Sequence, residues 1–128
     1  MGRALGRTIR FVEIANDVID NMPGSRVLLI GLTYKRNSGD ARQSPAIAVA
    51  RRLKALGAEL RAVDPQLTAD DVPDGVELVA CDTDEVAAAD VIVVLTEHDD
   101  IDWDLIGRHA GRVLDTRNRV AGSIVDRL

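Results

Sequence analysis

Cationic side chains gather where two strands would end. Gly31 closes the aliphatic run Arg26-Val27-Leu28-Leu29-Ile30, and the polar stretch behind it carries Lys35, Arg36 and Arg42. Later in the chain, Gly111 to Leu114 gives way to Asp115-Thr116-Arg117-Asn118. Arginine makes planar, bidentate contacts to phosphate and carboxylate, while lysine supplies a compact point charge. Ser44 before Pro45 reads as an N-cap with proline at the first helical position. The free N–H groups of that helix start attract anions as well. The chemistry these residues suit is holding an anionic small molecule. Further acids and hydroxyls fall at strand ends, Asp64 after one and Thr96-Glu97-His98 after another. Taken on charge alone, residues 32–43 could equally be a solvated surface loop.

Other reactive side chains read as structural, and no catalytic residue and no metal ligand is assigned. Cys81 is the single cysteine, so an intramolecular disulfide and a thiolate metal cage are both ruled out. In Val79-Ala80-Cys81-Asp82 it is expected to be a small, partly buried residue. His98 stands alone at a strand end, where a packed or capping histidine is expected. Asp99 and Asp100 would bind a metal only with converging partners. Asp70-Asp71 and the Asp82/Asp84/Glu85 group read as solvated faces or helix caps.

The elements that must position these groups alternate along the chain. Leu5, Val12 and Ile19 at heptad spacing, with Ile9 and Ala15 beside them, predict a helix over 3–20 that Pro23-Gly24 ends. A buried strand follows at Arg26–Ile30. After the long loop comes a helix with Ile47, Ala50, Leu53 and Leu56 inward, Arg51, Arg52 and Lys54 outward, and Gly57 at its end. Strands are expected at 59–63, 77–79, 91–95 and 111–114, with short helices at 83–89 and 102–109, the latter turning Trp103 and Ile106 inward. Asp82 or Thr83 caps the first of these. Strands alternating with helices imply a parallel sheet. The fold class is therefore α/β: a three-layer, Rossmann-like parallel sheet with helices on both faces, one domain preceded by an N-terminal helix. The strand at Arg26–Ile30 should be central, between the strands at 59–63 and 91–95. In such sheets ligands bind outside the carboxyl ends of the strands where the winding reverses. All the groups named first converge there.

Composition narrows the class. A chain of 128 residues is about one domain, and 46% hydrophobic with 29% charged residues suits a folded globular protein. Aromatics are only 2%, which weakens any reading based on base stacking, and a net charge of −5 disfavours a general nucleic-acid binder. The longest apolar run, Val91 to Leu95, is far short of a membrane span, and no secretory h-region opens the chain. A cytoplasmic location is expected. A dinucleotide-binding turn would read G-x-G-x-x-G, but Gly31 is followed by Leu32, Thr33 and Tyr34.

The segment Gly31-Leu-Thr-Tyr-Lys-Arg-Asn-Ser-Gly-Asp-Ala-Arg-Gln-Ser-Pro45 resembles the UDP-binding, C-terminal domain of the UDP-glucose/GDP-mannose dehydrogenase family, with its G-x-[AT]-[FY]-K-x-x-[ST]-x-D-x-R-[ED]-S-P. Leu56-Gly57-Ala58 with Asp64-Pro65, Ala89-Asp90 through Thr96-Glu97-His98, and Asp115-Thr116-Arg117-Asn118 resemble three further family motifs in the same order. The resemblance covers about residues 25–120. Its departures are Gln43, where acids are common, and Arg36, where proline is frequent.

That resemblance implies residues 1–24 as the end of an inter-domain or dimerisation region and 25–128 as the nucleotide-sugar-binding domain. It implies an NAD-dependent oxidation of a UDP-sugar at C6 to a UDP-uronic acid, with NAD bound mainly by another domain and the catalytic cysteine outside this segment. Tyr34, Lys35 and Arg117 would contact the UDP-sugar, Arg42 would face the NAD site, and Asp40 and Ser44 would support the loop. The remaining domains of the parent dehydrogenase are the implied partners, in a homodimer or larger assembly, with no nucleic acid and no membrane. The isolated chain is expected to be inactive. The alternative is a non-catalytic Rossmann-like nucleotide-binding or interaction module, with the exposed face of the 3–20 helix mediating assembly.

Overall fold

The computed structural model describes residues 24–33, 45–115, 120 and 125–127. The expected N-terminal helix, and with it the 1–24 boundary, lies outside them apart from Gly24. The described chain runs β1 (Arg26–Ile30), α1 (Pro45–Ala55), β2 (Glu59–Val63), a 3-10 turn (Ala69–Asp71), β3 (Val76–Leu78), α2 (Thr83–Ala88), β4 (Val91–Val94), α3 (Trp103–His109), β5 (Val113–Asp115) and β6 (Val125–Arg127). The six strands form one sheet in the order β3-β2-β1-β4-β5-β6. Every pairing is parallel. The winding reverses between β1 and β4, as expected.

Alternation along the strands builds the three layers. Val27 and Leu29 of β1, with Val91 and Val93 of β4, face α1, where they pack on Ala46, Val49, Ala50 and Leu53. Leu28 and Ile30, with Ile92 and Val94, face the opposite layer and meet Val86 of α2 and Ile106 of α3. Both faces of the central strands are covered, which is why β1 and β4 read as unbroken apolar runs rather than alternating ones. Burying one such aliphatic side chain contributes about 1.5–3 kcal/mol.

The helix ends obey local chemistry. Gly57 takes φ +95°, and Ala58 N–H reaches Leu53 carbonyl at 3.2 Å while Gly57 N–H reaches Lys54 carbonyl at 3.0 Å. This pair of bonds closes α1 as a Schellman turn. Asp82 caps α2 by accepting from Glu85 N–H at 2.8 Å, and Asp102 caps α3 by accepting from Leu105 N–H at 3.0 Å.

Several expectations need adjustment. The inward face of α1 centres on Ala46, Val49, Ala50 and Leu53, with Ile47 and Leu56 only flanking it, because the small alanines let the helix sit close to the sheet. β3 begins one residue early, at Val76, where its N–H bonds back to Pro73 carbonyl across the turn at Gly75. β5 runs through Asp115, which pairs in register with Val94 instead of opening the loop. β6 was not foreseen: three residues, two of them charged, carry too little periodicity to read as a strand. Finally, Glu85 is no solvated acid. It bridges Arg61 at 2.7 Å and Arg26 at 3.3 Å, tying α2 to β1 and β2.

Candidate functional site at the carboxyl rim

The in-register row Val63, Ile30, Val94 and Asp115 crosses the sheet at its carboxyl end. The residues just beyond this row make the rim. After Ile30 comes Gly31 at φ +86°, a left-handed conformation that glycine adopts without strain. A Cβ there would stand 2.5 Å from Thr96 Cβ and 2.6 Å from Thr96 carbonyl oxygen, so glycine is also required by space. Ile30 carbonyl accepts from both Leu95 N–H, at 2.9 Å, and Thr96 N–H, at 3.2 Å, which draws the β4 exit over β1.

Four buried polar side chains hold this crossing. Asp64, leaving β2, accepts Leu32 N–H at 2.7 Å on Oδ2 and Gln66 N–H at 2.9 Å on Oδ1. His98, fully buried beyond β4, brings Nε2 to 3.1 Å from the same Oδ2 and to 2.9 Å from Thr33 Oγ1. An ionised carboxylate can only accept, which assigns the proton to Nε2. Thr96 Oγ1 donates to Thr33 carbonyl at 2.9 Å, and Trp103 Nε1 donates to His98 carbonyl at 3.1 Å. Buried polar groups cost several kcal/mol when unpaired, about 2–7 by transfer measurements, so each of these partners is required. The expected packed histidine is what the structure has. Its shared partnership with Asp64 and Thr33 was missed, although all three lie just beyond neighbouring strands.

At β5 the fully buried Asp115 accepts Val120 N–H at 2.8 Å and so ties together the two ends of segment 116–119. Neighbouring strands are about 4.8 Å apart, so the exits of β1 and β5, separated by β4, lie about 10 Å from each other. Of the residues expected to bind or support a ligand, Tyr34, Lys35, Asp40, Arg42, Ser44 and Arg117 all lie outside the described residues. The described rim consists of the groups from which those two segments depart. Its own side chains are engaged with one another.

Elsewhere, Cys81 is half-buried beside α3, and burial, with Asp102 and Asp82 nearby, raises its thiol pKa; the backbone hydrogen bond at Asp102 opposes this. That environment suppresses thiolate and suits a packing residue. No three His, Cys, Asp or Glu side chains among the described residues are grouped to hold a metal ion. No helix among them is long and apolar enough to cross a membrane.

The sequence profile of the "UDP-glucose/GDP-mannose dehydrogenase family, UDP binding domain" matches residues 28–122, most of the chain and the whole of this rim. The chain belongs to this family. Among its relatives, UDP-glucose 6-dehydrogenase YwqF of Bacillus subtilis is 33% identical over 70% of the chain, and UDP-glucose 6-dehydrogenase of Rhizobium meliloti is 34% identical over 74%. The chain spans 21% of the length of each, a UDP-binding portion of much longer dehydrogenases. A UDP-glucose dehydrogenase structure from Pyrobaculum islandicum superposes with a TM-score of 0.74 at 21% identity, covering 95% of this chain and 29% of that one. At that identity it shows the shared α/β fold. Within the family, the four motifs read from the sequence fall at the β1 exit, the α1–β2 connection with the β2 exit, β4 with its exit, and the β5 exit.

The family's members are dehydrogenases, which raises the question of a dinucleotide on this rim. The residues present do not fit one. A pyrophosphate bound at a first βα turn needs free backbone N–H groups and glycine clearance. Here Leu32 N–H is taken by the Asp64 carboxylate, and Thr96 packs against Gly31.

Proposed function

We propose that residues 25–128 are the nucleotide-sugar-binding domain of an NAD-dependent dehydrogenase that oxidises a UDP-sugar to a UDP-uronic acid. Residues 1–24 then belong to the inter-domain or dimerisation region. NAD is held by another domain of the parent enzyme, which works as a homodimer or larger assembly in the cytoplasm, in the making of polysaccharide precursors. Tyr34, Lys35 and Arg117 contact the UDP-sugar, Arg42 faces the cofactor side, and Asp40 and Ser44 support the loop.

One observation carries this reading. The segments bearing Lys35 and Arg117 depart from the same rim, on either side of β4 at the reversal of winding. Cations on two segments that leave one edge would suit a diphosphate, whose charge is spread over several oxygens. The engaged state of the described rim supports the same division of labour: the sheet positions, and the loops bind.

The test is a UDP titration of the 128-residue chain followed by amide chemical shifts, with Lys35→Ala and Arg117→Ala alongside. Each charge-assisted contact contributes about 1.5–3 kcal/mol, so each variant should weaken UDP by roughly 10- to 100-fold. Binding that is indifferent to both substitutions, or no response to millimolar UDP by the folded chain, would overturn the assignment.

A further inference from the structure

We infer that His98 is a positioning residue for the nucleotide loop: from beneath the rim, acting through Asp64 and Thr33, it sets the direction in which the chain leaves β1. This rests on the UDP-binding reading and deepens it.

The exit of β1 is held from both sides. On the β2 side Asp64 Oδ2 receives Leu32 N–H at 2.7 Å. On the β4 side His98 Nε2 lies 3.1 Å from that same oxygen and 2.9 Å from Thr33 Oγ1. One imidazole N–H therefore joins the two strands that flank β1 and touches the next residue of the loop as it departs. The joint is itself immobilised. His98 and Asp64 side chains have no solvent exposure, Gln66 N–H holds the second oxygen of Asp64, and the Trp103 indole holds the His98 carbonyl. Nothing exposes the imidazole to a ligand, so His98 does not bind the nucleotide. Its effect must pass through the backbone of Leu32 and Thr33, immediately before Tyr34 and Lys35.

A buried hydrogen-bonding joint and a mere packing residue respond differently to substitution. Glutamine at 98 can present an amide N–H near the place of Nε2, whereas leucine fills the space and donates nothing. Thr33→Val keeps the volume of Thr33 and removes only its hydroxyl. If His98 positions the loop, His98→Leu and Thr33→Val should each weaken UDP about tenfold, the factor one such hydrogen bond is worth, while His98→Gln stays within about threefold of the parent chain. Without nucleotide, amide hydrogen exchange at Leu32 should quicken in His98→Leu and stay slow in His98→Gln, with exchange in β4 unchanged.

These arms separate the two readings. A parent chain that ignores UDP while Leu32 exchange shows the pattern above refutes the UDP assignment and keeps the joint. A parent chain that binds UDP, with Leu32 exchange and affinity unmoved in folded His98→Leu, overturns the positioning role. Should His98→Leu fail to fold, Thr33→Val decides: unchanged UDP affinity overturns the inference, and a tenfold loss supports it.

Discussion

Replacing Gly31 with alanine isolates the tightest approach in the rim. Two costs combine there. A side chain held at φ +86° costs about 1–2 kcal/mol of backbone strain. Its Cβ would also lie 2.5, 2.6 and 2.8 Å from Thr96 Cβ, carbonyl oxygen and amide nitrogen. Forcing atoms into a packed site costs about 1–3 kcal/mol more. The sum, about 2–5 kcal/mol, is a large part of the roughly 5–15 kcal/mol that holds a domain together. Gly57 is the internal control. It has φ +95° and open space for 4 Å around the place a methyl group would take, so Gly57→Ala bears the strain alone. Urea unfolding tracked by the fluorescence of Trp103, the single tryptophan, reads both. With a slope of about 1–3 kcal/mol per molar urea, Gly31→Ala should shift the midpoint down by about 2 M and Gly57→Ala by about half as much. Two of the three clashing atoms are backbone and the third is the Cβ that alanine keeps, so adding Thr96→Ala should not restore Gly31→Ala. Equal midpoints for the two glycine variants, or full rescue by Thr96→Ala, would refute the account of a closed crossing.

Charge and burial give two further outcomes. Glu85→Gln should cost about 1–2 kcal/mol in the same urea assay, because Glu85 bridges two arginines while only 18% of its side chain is exposed. A loss below about 0.5 kcal/mol would mean that α2 is held by packing alone. Cys81 should alkylate with iodoacetamide more slowly in the folded chain than in urea at about pH 8, since its raised pKa keeps the thiol protonated. The native state resists losing this proton, so its contribution to stability is intact below the unfolded thiol pKa and declines as pH rises through the folded one. Equal alkylation rates folded and unfolded would contradict the burial.

Much of this architecture was legible because its strands are short, aliphatic and punctuated. Arg26–Ile30 and Val91–Val94 are buried on both faces, so hydrophobicity alone marks them, and Asp82 and Gly57 sit where capping chemistry demands. Ile47 and Leu56 misled because a helix face is chosen by how closely the backbone can approach, and Ala46 and Ala50 decide that. β6 was invisible, since its three residues gain strand geometry only by adding to the edge of β5. In the rim, Asp64, Thr96 and His98 were placed correctly at strand ends. Their mutual bonds depend on the reach of Asp64 on one flanking strand toward His98 on the other, and no one-dimensional spacing encodes that distance. Glu85 was misjudged for the same reason, its arginine partners lying 24 and 59 positions away.

The bond between Asp64 and Leu32 has a consequence for what this rim can accept. A parallel sheet of this strand order offers a seat for negative charge at the start of its first crossover, and in this chain the seat already holds a resident anion of the protein's own making. A dinucleotide pyrophosphate therefore finds no free backbone N–H at Leu32. Engineering a cofactor site here by inserting glycines alone would fail, because the incoming phosphates would meet a carboxylate already in residence.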